Sequence, residues 1–222
     1  MIAPWLWRWP PGLAFAAWRE LTSDVPVHRV EDVEDVHAPE SVRGPDMQPA
    51  EDGFGPLFHR RYSARIHVHR WDAETVMGRF IAAPDAMIPG EVARFVPESG
   101  HPDLRVGDDL VVRMPGPWNG PVRVVQVLPT SFRLATRRGH LEAGQIEFRA
   151  ADEGVQLLFE IESWARSATW AADLLYDRLG LSRFLQGYMW VQCCARVCAA
   201  AGGTMVQGVE IYTGRDAAAA RR

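Results

Sequence analysis

His140 and Glu142 stand two residues apart in the run Gly139-His140-Leu141-Glu142-Ala143-Gly144-Gln145. In an extended segment, side chains two apart point the same way. A strand beginning after Gly139 therefore puts an imidazole and a carboxylate on one face. Such a pair has the chemistry of a general base with an orienting carboxylate. The plainer role is a turn whose His and Glu satisfy loose backbone groups, and the residues alone leave both open. Glu147, Glu160 and Glu162 come next. Glu160 and Glu162 share a face with Gln156, Leu158 and Trp164, opposite Val155, Leu157, Phe159 and Ile161. The apolar set is expected to meet the core and the glutamates to meet solvent. His67 and His69 also lie two apart, but no third ligand is identifiable, so no metal site is expected. Arg65 and Tyr62 could reach a ligand carboxylate or phosphate, although a surface Arg needs no such explanation.

Composition narrows the field. The chain has 222 residues and a formal net charge of -4, which argues against a general nucleic-acid binder. Every basic side chain is Arg; there is no Lys. Schiff-base and P-loop lysine chemistry are therefore excluded. Cys193, Cys194 and Cys198 fall in one expected helix with no zinc spacing, and small apolar packing is their expected role. An odd, clustered set of cysteines without a secretory signal points to a reducing, cytoplasmic setting. No stretch approaches the ~20 apolar residues of a membrane span. GxGxxG, P-loop, HExxH and GxSxG motifs are absent, and no cofactor is expected.

The elements that must position these residues follow from pattern. Residues 1–52 read as an arm, with Trp5, Trp7, Trp9 and Trp18 near its start and a short helix over Leu13 to Leu21. From residue 53 a domain begins. Arg60 to Arg70 alternates with Tyr62, Ala64, Ile66 and Val68 on one face. Asp72 caps a helix that Pro84 ends, and a second short helix is expected within Gly90 to Val96. Strands follow over Leu104 to Met114, Val122 to Leu128, Phe132 to Arg138, Leu141 to Arg149 and Val155 to Trp164. Asn119-Gly120 signals a hairpin, with Trp118 beside it. Short turns between consecutive strands make an antiparallel meander. Thr169 to Ala201 reads as a long helix stopped by Gly202-Gly203. The domain is expected to span 53–203, with 204–222 a tail carrying one short strand.

A meander of that size must cover its apolar face, and the long helix is the cover. The expected fold is α+β: a curved antiparallel sheet wrapped around a long C-terminal helix, with an N-terminal extension. Gly55-Pro56-Leu57-Phe58-His59-Arg60-Arg61-Tyr62, Val106-Gly107-Asp108 and the Gly139–Gln145 run with Phe148 carry a closer likeness. On these residues the sequence resembles the DUF1990 (UPF0548) family, of bacterial and plant proteins, within the START/Bet v 1-like (SRPBCC) helix-grip superfamily. A strand ending in Ser-Arg-Pro is usual there; here the stretch is Ser163-Trp164-Ala165-Arg166-Ser167. The resemblance implies a ligand cavity between sheet and helix. A small, largely apolar ligand would then meet Phe132, Phe159, Leu174, Leu181 and Tyr188, with His140 and Glu142 at a polar end. An enzyme of the cyclase or dehydratase kind, with His140 as base and Glu142 as its orienter, is the alternative. A third is an interaction module whose arm docks a partner or a second copy.

Overall fold

Strands that alternate apolar and polar side chains bury one face only, and most of the nine strands among the described residues, which form a single sheet, do so. The computed structural model describes residues 25–30, 38–68, 70–114, 119–169 and 181–216, with main chain alone for 181–185. The strands are β1 (Val27–Val30), β2 (Phe54–His67), β3 (Arg94–Pro97), β4 (Asp109–Arg113), β5 (Asn119–Leu128), β6 (Ser131–Thr136), β7 (Glu142–Glu153), β8 (Gln156–Ser167) and β9 (Thr204–Asp216). The helices are α1 (Ala73–Ala82), α2 (Pro84–Met87) and α3 (Leu181–Ala200). The spatial order is β1-β9-β2-β8-β7-β6-β5-β4-β3. Every pairing is antiparallel except β1 with β9. The expected helix-grip architecture is present: β4 to β8 form the meander, and α3 lies against the sheet.

Three local expectations give way. Residues 94–97 form β3 and pair with β4, whereas the second short helix sits earlier, at Pro84–Met87. Pro84 suits a first helical position because its missing N–H is unneeded there. The Asp85 carboxylate accepts the Phe95 N–H at 2.6 Å, which ties the start of β3 to this helix. Asn119 and Gly120 lie inside β5, opposite Arg113 and Val112, so they are strand residues and not the turn; Trp118 lies outside the described residues. Thr204 to Asp216 is a strand of 13 residues, longer than the short one expected, and it sits between β1 and β2.

α1 begins as its sequence requires. The Asp72 side chain accepts the Thr75 N–H at 2.8 Å, and Asp152 of β7 accepts the Ala73 N–H at 3.0 Å. The helix thereby reaches the sheet and delivers Phe80 to its inner face. Phe80 meets Phe132, Phe148 and Phe159 at centroid distances of 5.2, 5.3 and 6.2 Å, and all four rings are buried. Trp190 of α3 closes on Phe148 from the other side at 5.4 Å. α3 ends in a Schellman motif: Gly202 N–H donates to Ala199 O and Gly203 N–H to Cys198 O, with Gly202 at φ 64°. Cys193, Cys194 and Cys198 are free and buried, and burial pushes all three thiols up.

Phe80 joins three strands to one helix, so its removal leaves a cavity the rigid sheet cannot collapse. Phe80→Ala is expected to cost about 3–5 kcal/mol of unfolding free energy, read by urea denaturation. A loss below about 1 kcal/mol would mean that the neighbouring rings repack.

Candidate functional site

The turn that carries His140 is held from the arm. The Gln48 amide donates to the carbonyls of His140 at 3.0 Å and Glu142 at 2.8 Å. Gln48 is itself fixed by its backbone: its N–H donates to Thr136 O at 2.9 Å, and its carbonyl accepts the Thr136 hydroxyl at 2.7 Å. Gly139 adopts φ 97°, a conformation that favours glycine, and the turn closes with His140 N–H donating to Arg137 O. Asp46 anchors the same stretch of arm through Arg123 at 2.8 Å and Arg137 at 3.0 Å.

His140 Nδ1 stands 2.9 Å from the Glu142 N–H and 3.1 Å from the Glu142 carbonyl, and the partners of those two groups assign its tautomer. The Glu142 carbonyl already receives Gln48, whereas the Glu142 N–H has His140 Nδ1 at 2.9 Å as its acceptor. Nδ1 is therefore the acceptor, and in the neutral ring Nε2 carries the proton. Burial lowers the His140 pKa below 6.5 despite the opposing charge of Glu142. The ring edge lies over Gly120, where an added Cβ would stand 2.8 Å from Nε2.

His140 and Glu142 do meet, but through the backbone. The Glu142 carboxylate turns the other way, accepting the Gln186 amide at 2.9 Å and standing 3.6 Å from Arg60. Arg60 also donates to Gln186 Oε1 at 3.2 Å and lies over the Phe58 ring at 4.8 Å. Its side chain is 7% exposed, so the ion pair is buried. A carboxylate-oriented imidazole base is thus not the arrangement present: Glu142 balances Arg60, and His140 is a neutral donor. Beside this cluster, between α3 and the sheet, lies a cavity of about 80 Å³. His140, Glu142, Gln186 and Ser163 give it polar wall, and Trp190 and Met189 give it apolar wall.

The remaining sequence candidates lie elsewhere. Phe132, Phe159 and Tyr188 belong to the packed core, away from this cavity's lining. Leu174, the Leu181 side chain, His69 and the four tryptophans of the arm fall outside the described residues. Tyr62 is buried, and burial pushes its phenol up to about 12. Arg65 is spent on Glu153 at 3.1 Å and Glu210 at 3.7 Å. Glu160 and Glu162 point away from α3, as alternation requires, yet Glu162 is buried. It meets His59 Nε2 at 2.6 Å and Arg149, which together outweigh the upward push of burial and hold its carboxyl below the usual range. Among the described residues no group of three or more His, Cys, Asp or Glu could hold a metal ion. Arg60, Gln186 and Gln48 were missed from the sequence. Arg60 had a signal: it shares the alternation phase of Tyr62, Ala64 and Ile66, a charge on an otherwise apolar stripe.

A family model described as "Domain of unknown function (DUF1990)" matches residues 64–196, more than half the chain. No curated protein matches the sequence. Among solved structures, the chain is similar to the di-domain ARO/CYC StfQ from the steffimycin biosynthetic pathway, at 17% identity and a TM-score of 0.43. That match covers 69% of this chain and 53% of the other, so this chain spans about half its length. It is also similar to protein Ms6760 of Mycobacterium smegmatis, at 15% identity, 70% and 95% coverage and a TM-score of 0.44. A norcoclaurine synthase of Thalictrum flavumn matches at 12% identity, 66% and 98% coverage and a TM-score of 0.43.

The folded state binds the His140 proton more weakly than the unfolded chain, so this residue destabilises the fold as pH falls through 6.5 and below. His140→Asn keeps an acceptor near the Nδ1 position without a titrating group. Its unfolding temperature, measured from pH 8 to pH 5, is expected to fall less than that of the parent protein. Parallel curves for the two proteins would show that His140 titrates normally.

Proposed function

The chain belongs to the DUF1990 family, and from that premise we propose that it binds a small ligand between α3 and the sheet, by one acceptor-bearing end. The observation that carries the reading is the neutral His140 beside a cavity whose polar wall includes Glu142 and Gln186, the partners of buried Arg60. A half-buried imidazole whose Nδ1 is committed to a backbone N–H offers Nε2–H as a fixed donor. A carbonyl or ether oxygen is the matching group, since Glu142 already neutralises Arg60 and leaves no net charge for an anion. The volume of about 80 Å³ supports a few non-hydrogen atoms, with the remainder of a larger ligand outside. Binding agrees with this geometry better than His–Glu base catalysis does, because the carboxylate that would orient the imidazole is occupied elsewhere.

Cyclopentanone is a suitable probe, with cyclopentylamine as a cationic counterpart. Titration followed by NMR is expected to move the His140 ring and Met189 methyl resonances saturably with the ketone alone. Gly120→Ala, which crowds Nε2, is expected to weaken the ketone by about tenfold, the equivalent of one hydrogen bond. Equal responses to both probes, or none at millimolar concentration, would remove the donor role from His140.

A further inference from the structure

The face of the sheet turned away from α3 carries a second concavity, which shares only Gln145 with the lining of the inner cavity. Residues 38–51 stand beside the β7–β8 pair and leave a cleft of about 640 Å³. Its lining includes Arg43, Glu51, Leu57, Gln145, Trp164 and Arg166. This is within the size range of small-molecule sites.

One row of side chains crosses β2, β8 and β7 here, with His59 opposite Trp164 and Trp164 opposite Gln145. They are 4%, 6% and 8% exposed. In each, a buried polar atom has no hydrogen-bond partner: His59 Nδ1, Trp164 Nε1 and Gln145 Oε1. Buried polar groups are satisfied in the great majority of cases, so three in one row need a reason. Their orientations are fixed by what the other atoms do. Gln145 Nε2 donates to Glu40 O at 3.0 Å; a flipped amide would set oxygen against oxygen, so the unpaired atom is an acceptor. His59 Nε2 faces the Glu162 carboxylate at 2.6 Å, which can only accept, and the imidazole stacks on Trp164 at 5.5 Å with an interplanar angle of 6°. The indole is thereby braced, with its N–H as a donor. A donor and an acceptor are thus carried by directly opposite residues of β8 and β7, and both residues line the cleft.

The charges around them balance. Arg43 and Arg166 face Glu40 and Glu51 in the same lining; Glu51 is engaged by the Ser41 hydroxyl at 2.6 Å, and Arg166 donates to Gly55 O at 3.1 Å. A site lined by equal numbers of acidic and basic side chains, with two neutral hydrogen-bonding atoms, favours an uncharged group over an ion.

We infer that this cleft binds a neutral planar group with an adjacent acceptor and donor, the simplest being a primary carboxamide. Trp164 Nε1–H donates to its carbonyl, and Gln145 Oε1 accepts from its NH₂. The cleft lies on the opposite face from His140, so the assignment stands or falls independently of the inner cavity.

The test uses the full chain and benzamide, with benzoate as the charged counterpart and N,N-dimethylbenzamide as the version lacking a donor. Affinities come from ligand-observed NMR titration. Benzamide is expected to bind saturably, and the two counterparts about tenfold or more weakly. Trp164→Phe keeps a ring against His59 but lacks the donor; Gln145→Met keeps length but lacks the acceptor. Each is expected to weaken benzamide by about tenfold while His140→Asn leaves it unchanged. Should Gln145→Met fail to fold, Trp164→Phe decides alone. Equal binding of the three probes, or unchanged affinity in Trp164→Phe, overturns the assignment. So does a lack of benzamide binding, which would mean that water alone meets the orphaned atoms.

Discussion

Phe80 touches Phe132, Phe148 and Phe159 at once, and this contact organises the inner face of the sheet. Aromatic rings bury large areas and prefer edge-to-face or offset packing, so one ring seated among three fixes distances in several directions. β6, β7 and β8 supply the three partners, and α1 supplies the fourth ring from above. Trp190 then brings α3 onto Phe148. The cavity beside His140 adjoins this cluster, since Phe95 and Trp190, which both meet Phe148, also line it. Among the described residues, the cavity beside His140 is thus a small space next to this aromatic packing.

Much of the fold was legible because its signals are local. The Asp72 cap, the alternation of β2 and β8, the meander and the Gly202-Gly203 stop each depend on residues a few positions apart. β9 was underestimated: Thr204 to Asp216 has weak alternation of its own, and its length is set by pairing with β2, which no local signal reports. The Asn119-Gly120 pair shows the converse limit, a strong turn signal that the register places within a strand. At the site, the sequence indicated His140 and Glu142 and their spacing of two residues. Their roles were not legible, because they depend on which atom each group has already spent. Gln48 lies 92 residues from His140, and its double donation decides the imidazole's tautomer.

The two faces use polar residues differently. Inside, a charge on β2, a carboxylate on β7 and an amide on α3 neutralise one another beside apolar wall. Outside, Arg149, Glu160, Glu162 and His59 form a buried network that stiffens the β2–β8–β7 strip. Buried ion pairs contribute little net stability, since desolvation offsets their attraction. Their effect here is geometric: Glu162 fixes the His59 ring, and the ring braces Trp164.

β9 sits between β1 and β2, pairing Tyr62 with Ile211 and Ala64 with Val209. During synthesis β2 leaves the ribosome long before its partner on that side. Until residues 204–216 arrive, the growing chain presents an unpaired sheet edge in which Tyr62, Ala64 and Ile66 face inward. Strand closure across such a sequence separation is slow. The nascent domain therefore carries a vulnerable edge from the pairing of β2 with β8 until β9 is made, and strand β9 ends that exposure.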